Sequence, residues 1–241
     1  MDNDRSTAQD REDRDGASGG ALVVLSGGQD STTCLYWSLD RFGADSVLTI
    51  TFDYGQRHRV ELVAAEKVAE HAGVQNEIIP INTFPSLAEN ALTDHAMGDV
   101  GAVDSTTDLP NTFVPGRNLI FLTCAAAYAY SRGIRHLVTG VAQTDYSGYP
   151  DCRQETMHAL ENALNLGMET TFTLHTPLMN LSKKETVLLA RDLGALPALA
   201  YSHTCYLGQR PPCGRCPACL LRAKGFQEAG IDDPLILGMS R

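Results

Sequence analysis

The sequence predicts an α/β fold in which a doubly wound, mostly parallel sheet is followed by a small cysteine-rich region. The first observation is an unbroken apolar run from Ala21 to Leu25, the length of a strand covered on both faces. The second is the alternation of strands and helices after it, which implies right-handed crossovers between parallel strands. The third is a group of four cysteines between Cys205 and Cys219, in a segment that does not continue the alternation.

Strands are predicted where apolar and β-branched residues run together without helical spacing. After Ala21 to Leu25, such runs occupy residues 47–52, 77–81, 137–141 and 171–174. Helical spacing is found over residues 30–42, 60–71, 117–131, 151–166 and 182–193. Ser182 and Glu185 have the spacing of a capping box, which marks the start of the last of these helices. From residue 82 to 116, prolines and glycines interrupt any long element, so we expect a functional or mobile loop there.

The length of 241 residues corresponds to one large domain or to one domain with a small appendage, at roughly 150 residues per domain. Residues 1–20 carry six acidic and three basic residues and no aromatic residue, which predicts a disordered acidic tail. We therefore expect a tail over 1–20, an ATP-binding α/β domain over 21–200 and a metal-binding region over 201–241.

The charge balance restricts the partners, because 19 Lys and Arg against 29 Asp and Glu give a formal net charge of −10. Such a field repels phosphate backbones, so no nucleic-acid partner is expected. No apolar stretch reaches the roughly 20 residues of a membrane span, and no membrane partner is expected. The N-terminus lacks the basic flank and apolar core of a secretory signal. We expect a cytoplasmic protein with reduced cysteines.

The turn from Leu25 to Ser31 has the features of a phosphate-binding loop, since it joins a buried strand to the start of a helix. Gly27 and Gly28 let the backbone approach an anion, and the first N–H groups of the helix point at it. The hydroxyls of Ser26 and Ser31 add donors. The lysine of a P-loop and the three spaced glycines of a dinucleotide fingerprint are both missing. A plain strand-to-helix turn is the alternative.

The sequence Ser26-Gly-Gly-Gln-Asp-Ser31 resembles the PP-loop of the ATP pyrophosphatases, which have a Rossmann-like, adenine nucleotide α-hydrolase-like fold. Five segments in order resemble the 7-cyano-7-deazaguanine synthase family: residues 26–35, 53–58, 114–118, 145–153 and 176–179. The resemblance implies an ATP-dependent C–N ligase of queuosine biosynthesis. In that reaction ATP activates 7-carboxy-7-deazaguanine, ammonia converts it to an amide, and a second activation yields the nitrile, preQ0. The resemblance also implies zinc and a homodimer.

The resemblance and the loop chemistry together give an expected ATP site. Its expected residues are Leu25, Ser26, Gly27, Gly28, Gln29, Asp30, Ser31, Thr32, Thr33, Cys34, Leu35, Asp53, Tyr54 and Gly55. Asp30 either helps to hold Mg²⁺ or caps its own helix. The residues expected to act in catalysis are Ser26, Asp30, Arg117 and Lys183.

The substrate site is expected around two arginines, because a guanidinium binds carboxylates and phosphates bidentately. Arg117 and Arg153 are these candidates, and a surface ion pair is the alternative for each. The other expected substrate-binding residues are Asn118, Asp145, Tyr146, Tyr149 and Asp151. The two tyrosines could stack on a deazaguanine ring or simply pack within their loop, and either aspartate could accept a hydrogen bond from the ring's amino group. Lys183 opposes the dipole of its own helix, so we expect an anionic ligand there.

The cysteines Cys205, Cys213, Cys216 and Cys219 have a spacing that can close a tetrahedral metal site. We expect a structural zinc ion, because four sulfurs leave no open position for water; an iron–sulfur cluster is the rival. Residues 206–222 contain no acid but three arginines, Arg210, Arg215 and Arg222, whose charge suits thiolates.

Two other functions remain open at this stage. A tRNA-thiolating enzyme would share the loop, but it requires a basic surface and cysteines that are free to carry sulfur. A zinc-stabilised nucleotide-binding module without turnover would share both the loop and the cysteines.

Overall fold

The computed structural model of the chain describes residues 19–56, 58–82, 84, 101–103, 109–143 and 149–238. Its strands are β1 (Ala21–Val24), β2 (Val47–Asp53), β3 (Asn76–Pro80), β4 (His136–Val138) and β5 (Thr173–His175). Its helices are α1 (Gln29–Phe42), α2 (Val60–Ala72), α3 (Arg117–Tyr130), α4 (Gln154–Met168), α5 (Lys183–Asp192), α6 (Leu196–Leu199), α7 (Pro217–Ala229) and α8 (Pro234–Leu237). Short 3-10 turns lie at Ala44–Ser46 and Pro150–Cys152.

The five strands form one sheet in the order β3-β2-β1-β4-β5, and every pairing is parallel. This confirms the predicted fold class. Ala21 of the central strand is paired with Val47 on one side and with His136 on the other. The chain builds outward from β1 first toward β3 and then toward β5, so the direction of strand addition reverses between β1 and β4. Open α/β sheets bind ligands at the carboxyl edge beside such a reversal.

Helices cover both faces of the sheet, as the alternation of side chains along β1 requires. Val23 is buried against α1 and α2, in a cluster that includes Leu35 and Val68. Leu22 faces the other way, into a cluster with Ala126 of α3 and Leu164 of α4. Burying a Val or Leu side chain stabilises a fold by about 1.5–3 kcal/mol. These two layers therefore hold the strand that carries the phosphate loop.

Most element boundaries lie within three residues of the sequence-based expectation. The capping box is confirmed, since the Ser182 hydroxyl accepts from the Glu185 N–H and the Glu185 carboxylate accepts from the Ser182 N–H. α4 begins at Gln154 rather than at Asp151, because Pro150–Cys152 forms a 3-10 turn before it. Residues 1–18 of the expected acidic tail and most of the expected loop at 82–116 lie outside the described residues. Among the helices described, none combines the length and apolarity needed to cross a membrane.

Candidate active site

The phosphate loop links β1 to the N-terminus of α1 and is held open by its own hydroxyl groups. The Ser26 and Ser31 hydroxyls lie 3.0 Å apart, and the Ser26 N–H donates to the Ser31 hydroxyl at 3.2 Å. The hydroxyls of Ser31 and Thr32 both donate to the Gly28 carbonyl, at 3.3 and 2.7 Å. Ser26 is exposed at the mouth of the loop. The N-terminus of α1, with the positive end of its dipole, therefore lies at the loop, where an anion can bind.

Gly27 is required by the loop for two independent reasons. Its φ of +78° lies in the left-handed region, which residues with a side chain rarely adopt. A Cβ at this position would also lie 2.6 Å from the Glu61 carbonyl oxygen and 2.7 Å from the Ala65 nitrogen. The backbone of α2 therefore supports the loop from behind.

Asp30 does not cap its helix, so that alternative was wrong. α1 begins at Gln29 with Gly28 at the N-cap and without a side-chain cap, which places Asp30 inside the first turn. The Asp30 Oδ2 atom instead accepts from the Lys183 Nζ atom at 2.7 Å. Lys183 is thus paired with a carboxylate of the protein beside the loop, rather than opposing its own helix dipole alone.

Two buried polar atoms next to the loop have no hydrogen-bond partner within the described part of the chain. They are Gln29 Nε2 and Asp30 Oδ1. A buried donor or acceptor without a partner costs about 1–3 kcal/mol, so such atoms are expected where a ligand or ion completes the site. Both fit a loop that binds a triphosphate with its metal ion.

Residues 53–58, which we call the second motif, begin at the last residue of β2 and place Tyr54 beside the loop, where Glu61 from the first turn of α2 joins it. A cavity of about 40 Å³ lies among Ser26, Tyr54, Gln56, Glu61 and Phe121, with a few apolar neighbours. Burial raises the pKa of Glu61 to about 7, although the charge of Arg117 opposes the rise. Burial likewise raises the pKa of Tyr54 to about 12. A carboxyl group that titrates near neutral pH in a cavity is suited to move protons.

Two further residues of the second motif are less enclosed than Tyr54. The Asp53 carboxylate accepts from the Gly55 N–H at 3.4 Å and is paired with the Arg59 guanidinium at 3.3 Å. Gly55 is exposed with a positive φ of 78°. The chain therefore turns at Gly55, just after β2 ends.

Arg117, the first residue of α3, lies at the centre of a polar cluster. Burial alone would lower the pKa of Arg117, but Tyr54, Asp151, Tyr206 and Tyr149 together raise it. The guanidinium is therefore held as a cation in a partly buried position. Such a cation can bind a carboxylate with little competition from water.

Three of the residues expected to bind substrate, Asn118, Tyr149 and Asp151, lie close to Arg117. The N-cap of α3 is Gly116, which has no side chain to accept a hydrogen bond from the first turn. The buried Asp151 carboxylate accepts one instead, from the Asn118 N–H at 3.0 Å. The Asn118 amide donates to the Cys152 sulfur at 3.3 Å. The Tyr149 hydroxyl lies 2.6 Å from the Thr112 hydroxyl. Arg153 is exposed, and the expected Asp145 and Tyr146 lie outside the described residues.

The four cysteines form a cluster in which all sulfur atoms lie within 4.8 Å of one another. The N–H groups of Arg215 and Cys216 donate to the Cys213 sulfur at 3.5 and 3.3 Å. A hydrogen bond with Cys219 lowers the pKa of Cys216 to about 5, although burial opposes the change. Thiolates are the species that ligate metals, so this cluster can hold a metal ion.

Two of the three arginines expected to offset the thiolate charge have other partners. The Arg222 guanidinium is 4% exposed and forms an ion pair with Asp233 at 2.7 Å. The Arg210 guanidinium donates to the carbonyls of Ala200 and Tyr201. Asp233 offsets the charge of Arg222, whereas the carbonyl acceptors of Arg210 leave its charge in place.

Sequence reasoning missed three residues that the fold brings to this site: Glu61, His203 and Tyr206. Glu61 lies in the first turn of α2, where an acidic side chain commonly interacts favourably with the helix dipole. Its position in the sequence therefore did not indicate a functional role. His203 and Tyr206 flank the first cysteine ligand. The fold brings His203 to the phosphate loop and Tyr206 close to Arg117, and no local spacing indicates either contact.

The fold and the site together define an ATP-using α/β enzyme with an attached metal-binding cluster. The family model described as "Queuosine biosynthesis protein QueC" matches residues 20–230. The chain belongs to the QueC family.

Two relatives show how similar in sequence this chain is to other proteins of its kind. A 7-cyano-7-deazaguanine synthase of Laribacter hongkongensis is 69% identical over 216 residues, which cover 90% of this chain and 93% of the relative. One of Chromobacterium violaceum is 67% identical over 216 residues, with 90% and 92% covered. Among solved structures, an NH3-dependent NAD synthetase of Campylobacter jejuni matches at a TM-score of 0.46 and 16% identity, covering 76% of this chain and 71% of that one. The family assignment therefore rests on the sequence relatives.

Proposed function

We propose that this chain converts 7-carboxy-7-deazaguanine and ammonia into 7-cyano-7-deazaguanine, preQ0, at the expense of ATP, in queuosine biosynthesis. The observation that carries the proposal is the near full-length similarity, at 69% identity, to a relative with the name 7-cyano-7-deazaguanine synthase. The phosphate loop and the cation at Arg117 support it, since they supply one site for a triphosphate and another for a carboxylate.

The chemistry requires two activations, because a carboxylate is a poor electrophile. ATP first converts a carboxylate oxygen into a leaving group. Ammonia attacks the carbonyl carbon, loses a proton and expels that oxygen, which leaves an amide. A second activation at the amide oxygen, followed by loss of that oxygen and of the two nitrogen-bound protons, gives the nitrile. We assign the proton-accepting role to Glu61, whose pKa of about 7 suits it.

The chain's own residues divide into three groups in this proposal. Residues 25–35 hold the triphosphate, and residues 53–55 approach the adenosine at the end of β2. Arg117 binds the carboxylate of the deazapurine. We assign binding of its ring to Asn118, Tyr149, Asp151 and Arg153, and also to Asp145 and Tyr146, which lie outside the described residues. Lys183 holds Asp30 in place beside the loop.

Two metal ions belong to the proposal. Four cysteine sulfurs within one coordination sphere suit zinc, which would be structural there because no position is left for water. Mg²⁺ suits the hard oxygen of Asp30 Oδ1, together with the phosphates. Magnesium would offset the negative charge that develops on the triphosphate.

The experiment combines the purified, metal-loaded protein with ATP, Mg²⁺, ammonia and 7-carboxy-7-deazaguanine, and follows products by liquid chromatography and mass spectrometry. We expect preQ0 and stoichiometric consumption of ATP, and the nucleotide product shows whether AMP or ADP is formed. Arg117→Lys keeps the charge but loses the bidentate fork, so KM for the carboxylate should rise at least tenfold. The control Arg191→Lys, at an exposed position, should leave KM unchanged. Absence of preQ0 with folded protein, or ATP consumption that depends on tRNA, would reject the substrate assignment.

A homodimer in the cytosol completes the proposal. Leu166 is 82% exposed and Tyr130 is 50% exposed, and both line a shallow cleft between the ends of α3 and α4. Apolar side chains exposed together favour association. Light scattering coupled to size-exclusion chromatography should give twice the mass of 26.0 kDa.

A further inference from the structure

The cysteine-bearing segment, defined as residues 202–219, forms one wall of the candidate active site. It contacts the phosphate loop, the second motif and the Arg117 cluster, and α7 continues it to the helix that carries Lys183. These contacts are distributed over the parts of the site that bind different ligands.

The first contact joins the segment to the phosphate loop. The His203 N–H donates to the Gly27 carbonyl at 2.8 Å. The His203 carbonyl oxygen lies 3.7 Å from where a Cβ of Gly28 would be. The His203 ring is 3% exposed, and its Nε2 atom lies 2.9 Å from the Cys205 carbonyl oxygen. The backbone that supports the bend of the loop is thus fixed two residues before a metal ligand.

The second contact joins the segment to the substrate side. Tyr206 follows the ligand Cys205 directly, and its hydroxyl interacts with Tyr149 and with the Arg117 cation. Tyr149 in turn is bonded to Thr112. A shift of Cys205 therefore moves a group that touches the residues expected to hold the carboxylate.

The third set of contacts is close packing against glycines. Gly208 leaves no room for a side chain, because a Cβ there would overlap the ring of His58 in the second motif. A Cβ on Gly225 of α7 would lie 2.9 Å from the Lys183 Cβ and 3.1 Å from the Lys183 carbonyl oxygen. Because these backbones are closely packed, a displacement of one of them displaces the other.

We propose that the metal held by the four cysteines positions the active site, so that metal binding and ATP binding are thermodynamically coupled. The proposal rests on the proposed function for the identity of the nucleotide and of the deazapurine. His203, through its backbone, and Tyr206, through its hydroxyl, are the positioning residues. Coupling is reciprocal: the factor by which metal raises ATP affinity equals the factor by which ATP raises metal affinity.

The test measures both sides of this linkage on the full chain loaded with zinc. Titration calorimetry with a non-hydrolysable ATP analogue and Mg²⁺ gives the nucleotide affinity. Competition against a zinc-binding dye gives the zinc affinity with and without saturating analogue, and we expect the analogue to raise it at least tenfold. Unchanged zinc affinity with intact analogue binding overturns this inference and leaves the proposed function standing. Absence of analogue binding to the zinc-loaded protein overturns both.

A pair of tyrosine variants locates the coupling. Tyr206→Phe removes one hydroxyl and keeps the ring, so zinc content and the thermal midpoint should stay as in the wild type. We expect KM for the carboxylate to rise about tenfold, as for the loss of one polar interaction with a charged cluster, with a smaller change in kcat. Tyr201→Phe, at an exposed tyrosine four residues before Cys205, should match the wild type. An unchanged KM in Tyr206→Phe would exclude Tyr206 as a positioning residue.

Discussion

Replacing Glu61 by Gln should stabilise the protein at alkaline pH and leave its stability at acid pH unchanged. Glu61 lies at the start of α2 beside the cavity behind the phosphate loop, and burial raises its pKa from 4.5 to about 7. Gln keeps the shape of the protonated carboxyl group but cannot ionise. The loop contact at this position uses the Glu61 backbone carbonyl, which the substitution does not remove.

The magnitude follows from the difference in pKa between the folded and the unfolded chain. Below pH 4.5 the carboxyl is protonated in both states, so it imposes no penalty. Between pH 4.5 and 7 the unfolded chain loses its proton first, and the stability of the wild type therefore falls as the pH rises. Above pH 7 the penalty is complete, and a change of pKa from 4.5 to about 7 corresponds to about 3 kcal/mol.

The assay is urea unfolding at pH 4, 6 and 8 without nucleotide, since bound ligand would add its own stabilisation. Glu61→Gln should gain about 3 kcal/mol over the wild type at pH 8 and nothing at pH 4. The control Glu66→Gln changes an exposed residue of the same helix, and its curve should run parallel to the wild type. A Glu61→Gln curve that also runs parallel would refute the burial of this carboxyl group.

Four further predictions concern other parts of the chain. Gly27→Ala should abolish binding of an ATP analogue in calorimetry, because its Cβ would overlap the backbone of α2. Ser182→Ala should lower the free energy of unfolding in urea by about 1 kcal/mol through loss of the helix cap, and Ser182→Thr should restore it. Asp233→Asn leaves the buried Arg222 cation without its carboxylate, which should destabilise by about 3 kcal/mol in calorimetric melting. Burial and a neighbouring histidine lower the pKa of His175 to about 4, so stability should fall as the pH drops from 6.5 to 4, by about 2 kcal/mol after allowance for partial exposure, and His175→Asn should reduce that slope.

Features with local causes could be predicted from the sequence. The capping box at Ser182 needs only a residue three positions further on, and the turn at Gly27 needs only a glycine between a strand and a helix. The cysteine cluster follows from short spacings that bring four sulfurs together. In each case the partners are near in sequence, so the pattern itself contains the geometry.

Features that depend on distant partners could not be predicted. Asp30 and Lys183 are separated by 153 positions, and the expectation that Asp30 caps its helix was wrong because α1 begins one residue before it. The raised pKa of Glu61 arises from its burial beside residues of β1, β2 and α3, which no spacing encodes. Tyr206 resembles any aromatic residue in a cysteine-rich turn until the fold brings it beside Arg117. The roles of these residues depend on tertiary contacts between positions that are distant in the sequence.

The support of the phosphate loop by His203 has a consequence for biosynthesis. Gly27 leaves the ribosome long before His203 or Gly225 does. The nascent chain therefore contains the phosphate loop before it contains the backbone that supports this loop. The ability to bind a nucleotide should therefore appear late in translation, together with metal binding by the four cysteines.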